Sequence, residues 1–181
     1  KIVFLCSPNN PTGNLLDAAA VEHVIETLAG RALVIVDEAY IEFAARDSLA
    51  AQLPRHPHLG VLRTLSKAHA LAGARCGAAL ADPAVIELLK RLLPPYAIAE
   101  PSIEAAQQAL GTARLATTGQ RIAALVAERE RMRVALPRSP FVRRVWPSDA
   151  NFLLVGCHDP QQFLERGIRA GLLVRDVRRQ A

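Results

Sequence analysis

Four short apolar runs punctuate the first half of the chain, at residues 2–6, 32–36, 61–65 and 76–81, and each of the first three gives way to a polar cluster at its carboxyl end. A strand with one face in water alternates apolar and polar residues. A strand apolar at nearly every position has to be covered on both faces, which is the pattern of an α/β sheet between helical layers. Helix signals fill the gaps. Residues 17–29 carry the stripe Val21, Val24, Ile25 and Leu28 and stop at Gly30. Asp82-Pro83 supplies an N-cap and first-turn proline for a segment bearing Val85, Ile86, Leu89, Leu92 and Leu93, which Pro94-Pro95 ends.

Beyond Pro101 the pattern changes. Two helices are predicted, over 103–115 and 118–136, the second amphipathic through Ile122, Leu125, Val126 and Met132. Strands over 142–146 and 151–155 follow, then a helix opened by Asp159-Pro160 and closed by Gly171, and a last strand over 172–174. The reading is a large α/β domain over 1–116, a connecting helix over 117–136 and a smaller α/β domain over 137–181.

Composition narrows the classes of function. Of 181 residues 51% are hydrophobic, enough for a packed core rather than a disordered chain. No apolar run reaches membrane-spanning length, so no membrane partner is expected. Cys6, Cys76 and Cys157 are odd in number and lack metal or redox spacing, which points to buried thiols in a reducing cytoplasm. The five histidines show no ligand spacing, so no metal site is expected, and His69 reads as structural. The formal charge is +5, yet the arginines are interleaved with acids, as over residues 128–133, which read as a solvated helix face. The dense cluster Arg175, Arg178 and Arg179 has no interleaved aromatics, so no nucleic-acid partner is expected.

Of the 22 basic residues only Lys1, Lys67 and Lys90 are lysines. In a chain that otherwise uses arginine, Lys67, at the end of the third run, suggests chemistry that needs an amine able to lose its proton. Ligands of open α/β sheets collect at the carboxyl ends of strands. Those ends here offer Asn10, Asp37, Tyr40, Thr64, Ser66 and Lys67, with Arg75 just before the fourth run. Each also has a structural use: Asp37 as a turn cap, Tyr40 as a core ring, Ser66 as a helix cap, Arg75 as a surface charge and Lys67 as a solvated amine.

Taken in order, Asn10-Pro11-Thr12-Gly13, Asp37-Glu38-Ala39-Tyr40 and Ser66-Lys67 with Arg75 eight residues on resemble the fold-type I pyridoxal-phosphate aminotransferases. The fuller wording CSPNNPTGN, VDEAYIEF and LRTLSKAHALAGARCG is most similar to the branch acting on L-histidinol phosphate. Asn151-Phe152-Leu153-Leu154 and Leu173-Val174-Arg175-Asp176 resemble the small domain of that family. The resemblance implies a three-layer α/β/α large domain with a smaller α/β domain, pyridoxal 5'-phosphate as cofactor, and exchange of an amino group between L-histidinol phosphate and 2-oxoglutarate, with glutamate as product. It implies that Lys67 forms the Schiff base and moves the substrate proton. Asp37 would pair with the ring nitrogen, Asn10 and Tyr40 with the phenolic oxygen, Thr64, Ser66 and Arg75 with the phosphate, and Arg175 with substrate. A cis Asn10–Pro11 bond and a homodimer are implied too. The family's glycine turn, ring-stacking aromatic and carboxylate-binding arginine have no counterpart here, so the chain reads as a fragment, expected to be inactive by itself. Other readings are a related cofactor-dependent enzyme of aromatic or other amino acids, a phosphothreonine decarboxylase, a non-catalytic folding or dimerisation unit, and a nucleic-acid module.

Overall fold

The first three apolar runs lie side by side in the computed structural model, which describes residues 1–178. β1 (Ile2–Cys6), β2 (Leu33–Asp37) and β3 (Leu59–Thr64) pair in parallel, in that order. The register sets Cys6 opposite Asp37 and Asp37 opposite Leu62, so the carboxyl ends of the strands are level. Parallel neighbours need a crossover, and α1 (Ala18–Thr27) supplies the first. Asp17 caps it, its Oδ1 accepting from the Ala20 amide at 2.9 Å. Val21 and Ile25, one turn apart, are thereby brought onto Val34, Val36, Leu59 and Val61 to form the main core. Each such fully buried aliphatic side chain contributes about 1.5–3 kcal/mol.

β4 (Gly77–Ala81) completes the sheet, but antiparallel to β3. Coverage on both faces, expected from the apolar runs, is not met among the described residues: Ile2 and Phe4, which share a face of the edge strand β1, are 60% and 68% exposed, and residues 77–80 are exposed as well. The sheet is therefore mixed, within an α/β arrangement.

α2 (Pro83–Lys90) follows the Asp82 cap as predicted. α3 (Glu100–Ala109) and α4 (Thr112–Ala135) divide earlier than expected, at Leu110-Gly111 rather than near 116–117. Gly111 adopts the extended N-cap conformation, whereas Thr117, a residue type that favours caps, lies inside α4 with its hydroxyl bonded back to the Ala113 carbonyl at 3.1 Å. β5 (Val142–Val145) and β6 (Val155–Cys157) form a two-stranded antiparallel sheet, and α5 (Pro160–Arg169) begins at its Asp159 cap. The strand expected over 151–155 starts later, because Ala150 and Phe152 are engaged in packing around Tyr40 and Phe43. Residues 172–174 form no strand. The Leu172 amide instead closes α5 on the Gly167 carbonyl at 2.8 Å, and Leu173 is 90% exposed. The three cysteines are free and half-buried rather than fully buried. Among the described residues no helix is long and apolar enough to cross a membrane.

Candidate active site

The level strand ends place three of the predicted residues together. After β1 the chain turns through cis Ser7–Pro8 and Asn10–Pro11 bonds and is closed on itself by Gly13 N–H to Asn9 O (2.7 Å) and Asn9 N–H to Asn14 O (2.9 Å). This loop projects Asn10, whose Nδ2 donates to the Tyr40 hydroxyl at 2.8 Å. Tyr40 is buried, packs edge-on against Phe152 with ring centroids 5.2 Å apart, and carries the Lys67 ammonium over its face, 5.1 Å from the centroid. The amide, phenol and amine thus form one cluster built from the ends of all three parallel strands.

Asp37 ends β2 beside them. Its Oδ1 accepts from the Ala39 amide at 3.0 Å, which fixes the carboxylate and leaves Oδ2 for another donor. On β3, the Thr64 hydroxyl accepts from the Ser66 amide (3.1 Å) and donates to the Ser66 hydroxyl (2.9 Å), so the two oxygens converge at the start of the irregular stretch that turns Lys67 outward. The antiparallel return of β4 accounts for Arg75. Thr64 pairs with Gly77 and the Leu65 amide bonds the Cys76 carbonyl at 3.1 Å, which sets Arg75 at the mouth of the same hairpin as Thr64 and Ser66. Arg75 takes a left-handed φ of 52°, and its exposed guanidinium rests on the Ala72 carbonyl at 3.0 Å. The end of β3 therefore presents two converging hydroxyls, of a kind that suits a phosphate, with Arg75 following along the same hairpin, and the neighbouring strand ends present an amine, a carboxylate, an amide and a phenol.

Arg175 lies apart from that cluster. It lines a cleft of about 920 Å³ together with Asn10, Pro11, Phe152, Met132 and Arg129, so it and Asn10 face a common space. Arg178 lines the same cleft, and Arg179 falls outside the described residues. His69 is half-buried, and its Nδ1 is buried with no hydrogen-bond partner among the described residues. Burial pushes the Cys6 thiol up from its ordinary value, opposed by a hydrogen bond from the Asn10 backbone and reinforced by the Asp37 carboxylate.

Sequence reasoning missed three supports of this site. Glu38, adjacent to Asp37, is 1% exposed and structural: it accepts from the Ser48 hydroxyl and, at 2.8 Å, from the Leu49 amide, with Arg63 3.8 Å away. Arg129, read as part of a solvated face, points inward and donates to the Ala150 carbonyl at 2.8 Å. Ser148 and Asp149 fasten the Asn10 loop from the far end of the chain: the Asp149 amide bonds Gly13 O at 2.7 Å, and Asp149 Oδ2 accepts from the Leu15 amide at 3.0 Å. Gly13, at φ +80°, was the available signal, since a Cβ there would sit 2.3 Å from the Ser148 hydroxyl.

These features define an open α/β sheet with a lysine-centred polar site at its strand ends, and the chain belongs to the family of class I and II aminotransferases, whose profile matches residues 1–178. Among individual relatives, the histidinol-phosphate aminotransferase of Stenotrophomonas maltophilia is 50% identical over 178 residues, which cover 98% of this chain and 49% of that protein. The chain thus spans about half the length of the curated relatives it matches. The crystal structure of the histidinol-phosphate aminotransferase of Sinorhizobium meliloti, in complex with pyridoxal-5'-phosphate, superposes with a TM-score of 0.84 at 28% identity, covering 96% of this chain and 48% of that one. The L-threonine-O-3-phosphate decarboxylase of Porphyromonas gingivalis shares the fold, with a TM-score of 0.84 at 23% identity over 97% of this chain and 54% of that one.

Proposed function

We propose that this chain is part of a pyridoxal-phosphate-dependent histidinol-phosphate aminotransferase, which exchanges an amino group between L-histidinol phosphate and 2-oxoglutarate and releases glutamate. The observation that carries the reading is the Asn10–Tyr40–Lys67 cluster beside Asp37, with Thr64, Ser66 and Arg75 at the adjoining corner. Identity of 50% to a histidinol-phosphate aminotransferase, against a decarboxylase likeness confined to fold, favours transamination.

The donor set fits the cofactor group by group. A carboxylate with one oxygen already fixed by a backbone amide suits a protonated ring nitrogen, and an amide hydrogen-bonded to a phenol suits a phenolic oxygen. Thr64, Ser66 and Arg75 would hold the phosphate. When bound, the cofactor supplies an aldehyde for amine exchange and a ring that accepts electron density. Asp37 keeps a proton on that ring's nitrogen. Asn10 and Tyr40 would donate hydrogen bonds to its phenolic oxygen and so stabilise negative charge there. Lys67, on an irregular backbone at the strand end, supplies the amine and then takes the proton from the substrate Cα. Arg175, facing the cleft shared with Asn10, would meet an anionic substrate group.

In this reading residues 1–116 belong to the cofactor-binding domain, 117–136 to the connecting helix and 137–181 to the small domain. The whole protein works in the cytoplasm as a homodimer on small molecules, with neither nucleic acid nor membrane as partner. The test is glutamate formation by the whole protein from L-histidinol phosphate and 2-oxoglutarate, with aromatic amino acids and phosphothreonine as rival substrates. Activity strongest with L-histidinol phosphate and abolished in Lys67→Ala supports the proposal. Preference for another amine, or carbon dioxide release from phosphothreonine, overturns it.

A further inference from the structure

The turn 148–150 touches the Asn10 loop where a tether would, and it also forms part of the wall behind Tyr40. Gly13 O accepts from the Asp149 amide at 2.7 Å and, more loosely, from the Ser148 hydroxyl at 3.5 Å. The same Ser148 hydroxyl accepts from the Ala150 amide at 3.1 Å, which holds the turn in shape. Asp149 Oδ2 reaches the other side of the loop at Leu15 N–H, 3.0 Å away. Gly13 and Ser148 meet so closely that only hydrogen fits at the glycine Cα, so the contact leaves no slack. Two residues on, Ala150 is fully buried against Tyr40 and Phe43, and Phe152 packs edge-on against the Tyr40 ring. Both partners of the 2.8 Å Asn10–Tyr40 bond are thus held by one strap of five residues, 148–152, more than 100 positions away in sequence.

We infer that Ser148 and Asp149 are positioning residues for the Asn10 amide, and that through it they set the electrostatics of the cofactor's phenolic oxygen. This rests on the cofactor reading above. A bond to a charged oxygen is steep in distance and angle, so a loop freed by a few tenths of an ångström weakens it without unfolding the sheet. Ser148 and Asp149 carry no group into the site itself. Their effect is geometric: Ser148 and Asp149 bond the Asn10 loop, whereas the packing on Tyr40 comes from Ala150 and Phe152.

Two readouts on the full chain test this. In the chain without cofactor, the side-chain amide proton signals of Asn10, assigned by their loss in Asn10→Asp, report the bond to Tyr40. Asp149→Ala is expected to move them toward the free-asparagine position, and Asp149→Asn, which keeps an acceptor for Leu15 N–H, to restore them. In the chain loaded with pyridoxal phosphate, the pH midpoint of the visible absorption change is expected to rise by about half a unit to one unit in Asp149→Ala, the direction in which a weakened bond to a charged oxygen acts. It is expected to return in Asp149→Asn, a recovery that general loosening of the fold would not produce. Ser148→Ala, which removes a smaller contact, is expected to shift both readouts in the same direction and serves if Asp149→Ala does not fold. If neither this chain nor a version extended to the length of its relatives takes up cofactor, the cofactor reading fails and the Asn10 signals alone judge the strap. Unmoved signals in the folded variants, or unmoved midpoints with Lys67 still derivatised, overturn the inference.

Discussion

Replacing Arg129 by methionine should destabilise the protein far more than its place in an Arg/Glu-rich helix suggests. Its side chain is 10% exposed, and its guanidinium donates to the carbonyl of Ala150, a residue with no exposed surface. A hydrogen bond from a charged donor to a buried acceptor is worth about 1.5–3 kcal/mol, and its loss leaves that carbonyl unpaired. The second contact, to Phe43 O at 3.5 Å, is too long to add much. The pair with Glu130, whose side chain is 42% exposed, is screened and adds at most about 0.5 kcal/mol. Methionine preserves the apolar stem, so the sum is ~2–3 kcal/mol. With a urea m-value of about 2 kcal/mol/M for a domain of this size, the unfolding midpoint falls by roughly 1 M at constant m. Arg131→Met is the control: its partner is Glu128, both side chains are at least half exposed, and no resolvable shift of the midpoint is expected. Equal midpoints for the two variants would refute the inward role of Arg129.

Other consequences separate neighbouring residues in the same way. Glu38→Ala should cost about 3 kcal/mol or more, since it strands the Leu49 amide and the Ser48 hydroxyl beside Arg63, whereas Asp37→Ala should cost about 1 kcal/mol; comparable urea midpoints would contradict the division of labour between the two carboxylates. Gly13→Ala should destabilise by ~2–4 kcal/mol, from the left-handed φ and the overlap with Ser148, and a neutral result would show that the loop and turn are not in contact. The Cys6 thiol, pushed up chiefly by burial, should react with iodoacetamide along a pH profile displaced upward from that of the unfolded chain. Its contribution to stability is complete below the unfolded thiol pKa and disappears as pH rises through the folded one. Asp37→Asn should move the profile back down, and coincident folded and unfolded profiles would rule the burial out.

What the sequence made legible were features determined within a few residues. The three parallel strands, the Asp82 and Asp159 caps and the polar strand ends follow from apolar runs and capping chemistry, and the site residues converge because parallel strands align their ends. Direction was not legible, since Gly77-Ala78-Ala79-Leu80-Ala81 reads alike parallel or antiparallel, and only pairing with β3 decides it. The expected strand over 172–174 has no partner among the described residues, and an apolar run without one gains no ladder. Arg129 is indistinguishable in periodicity from Arg131 and Arg133, because what turns it inward is a carbonyl 21 residues away. The Ser148–Asp149 turn carries no local mark beyond its turn-forming residues.

The central claim is that Lys67 is the amine that takes the cofactor, and covalent trapping tests it most directly. The protein is mixed with pyridoxal phosphate, reduced with borohydride, digested and weighed peptide by peptide. The account predicts the reduced cofactor mass on the peptide containing Lys67, with none on Lys1 or Lys90 and none in Lys67→Ala. Adduct spread over all three lysines, or absent from Lys67 even in a version extended to the length of its relatives, would contradict it.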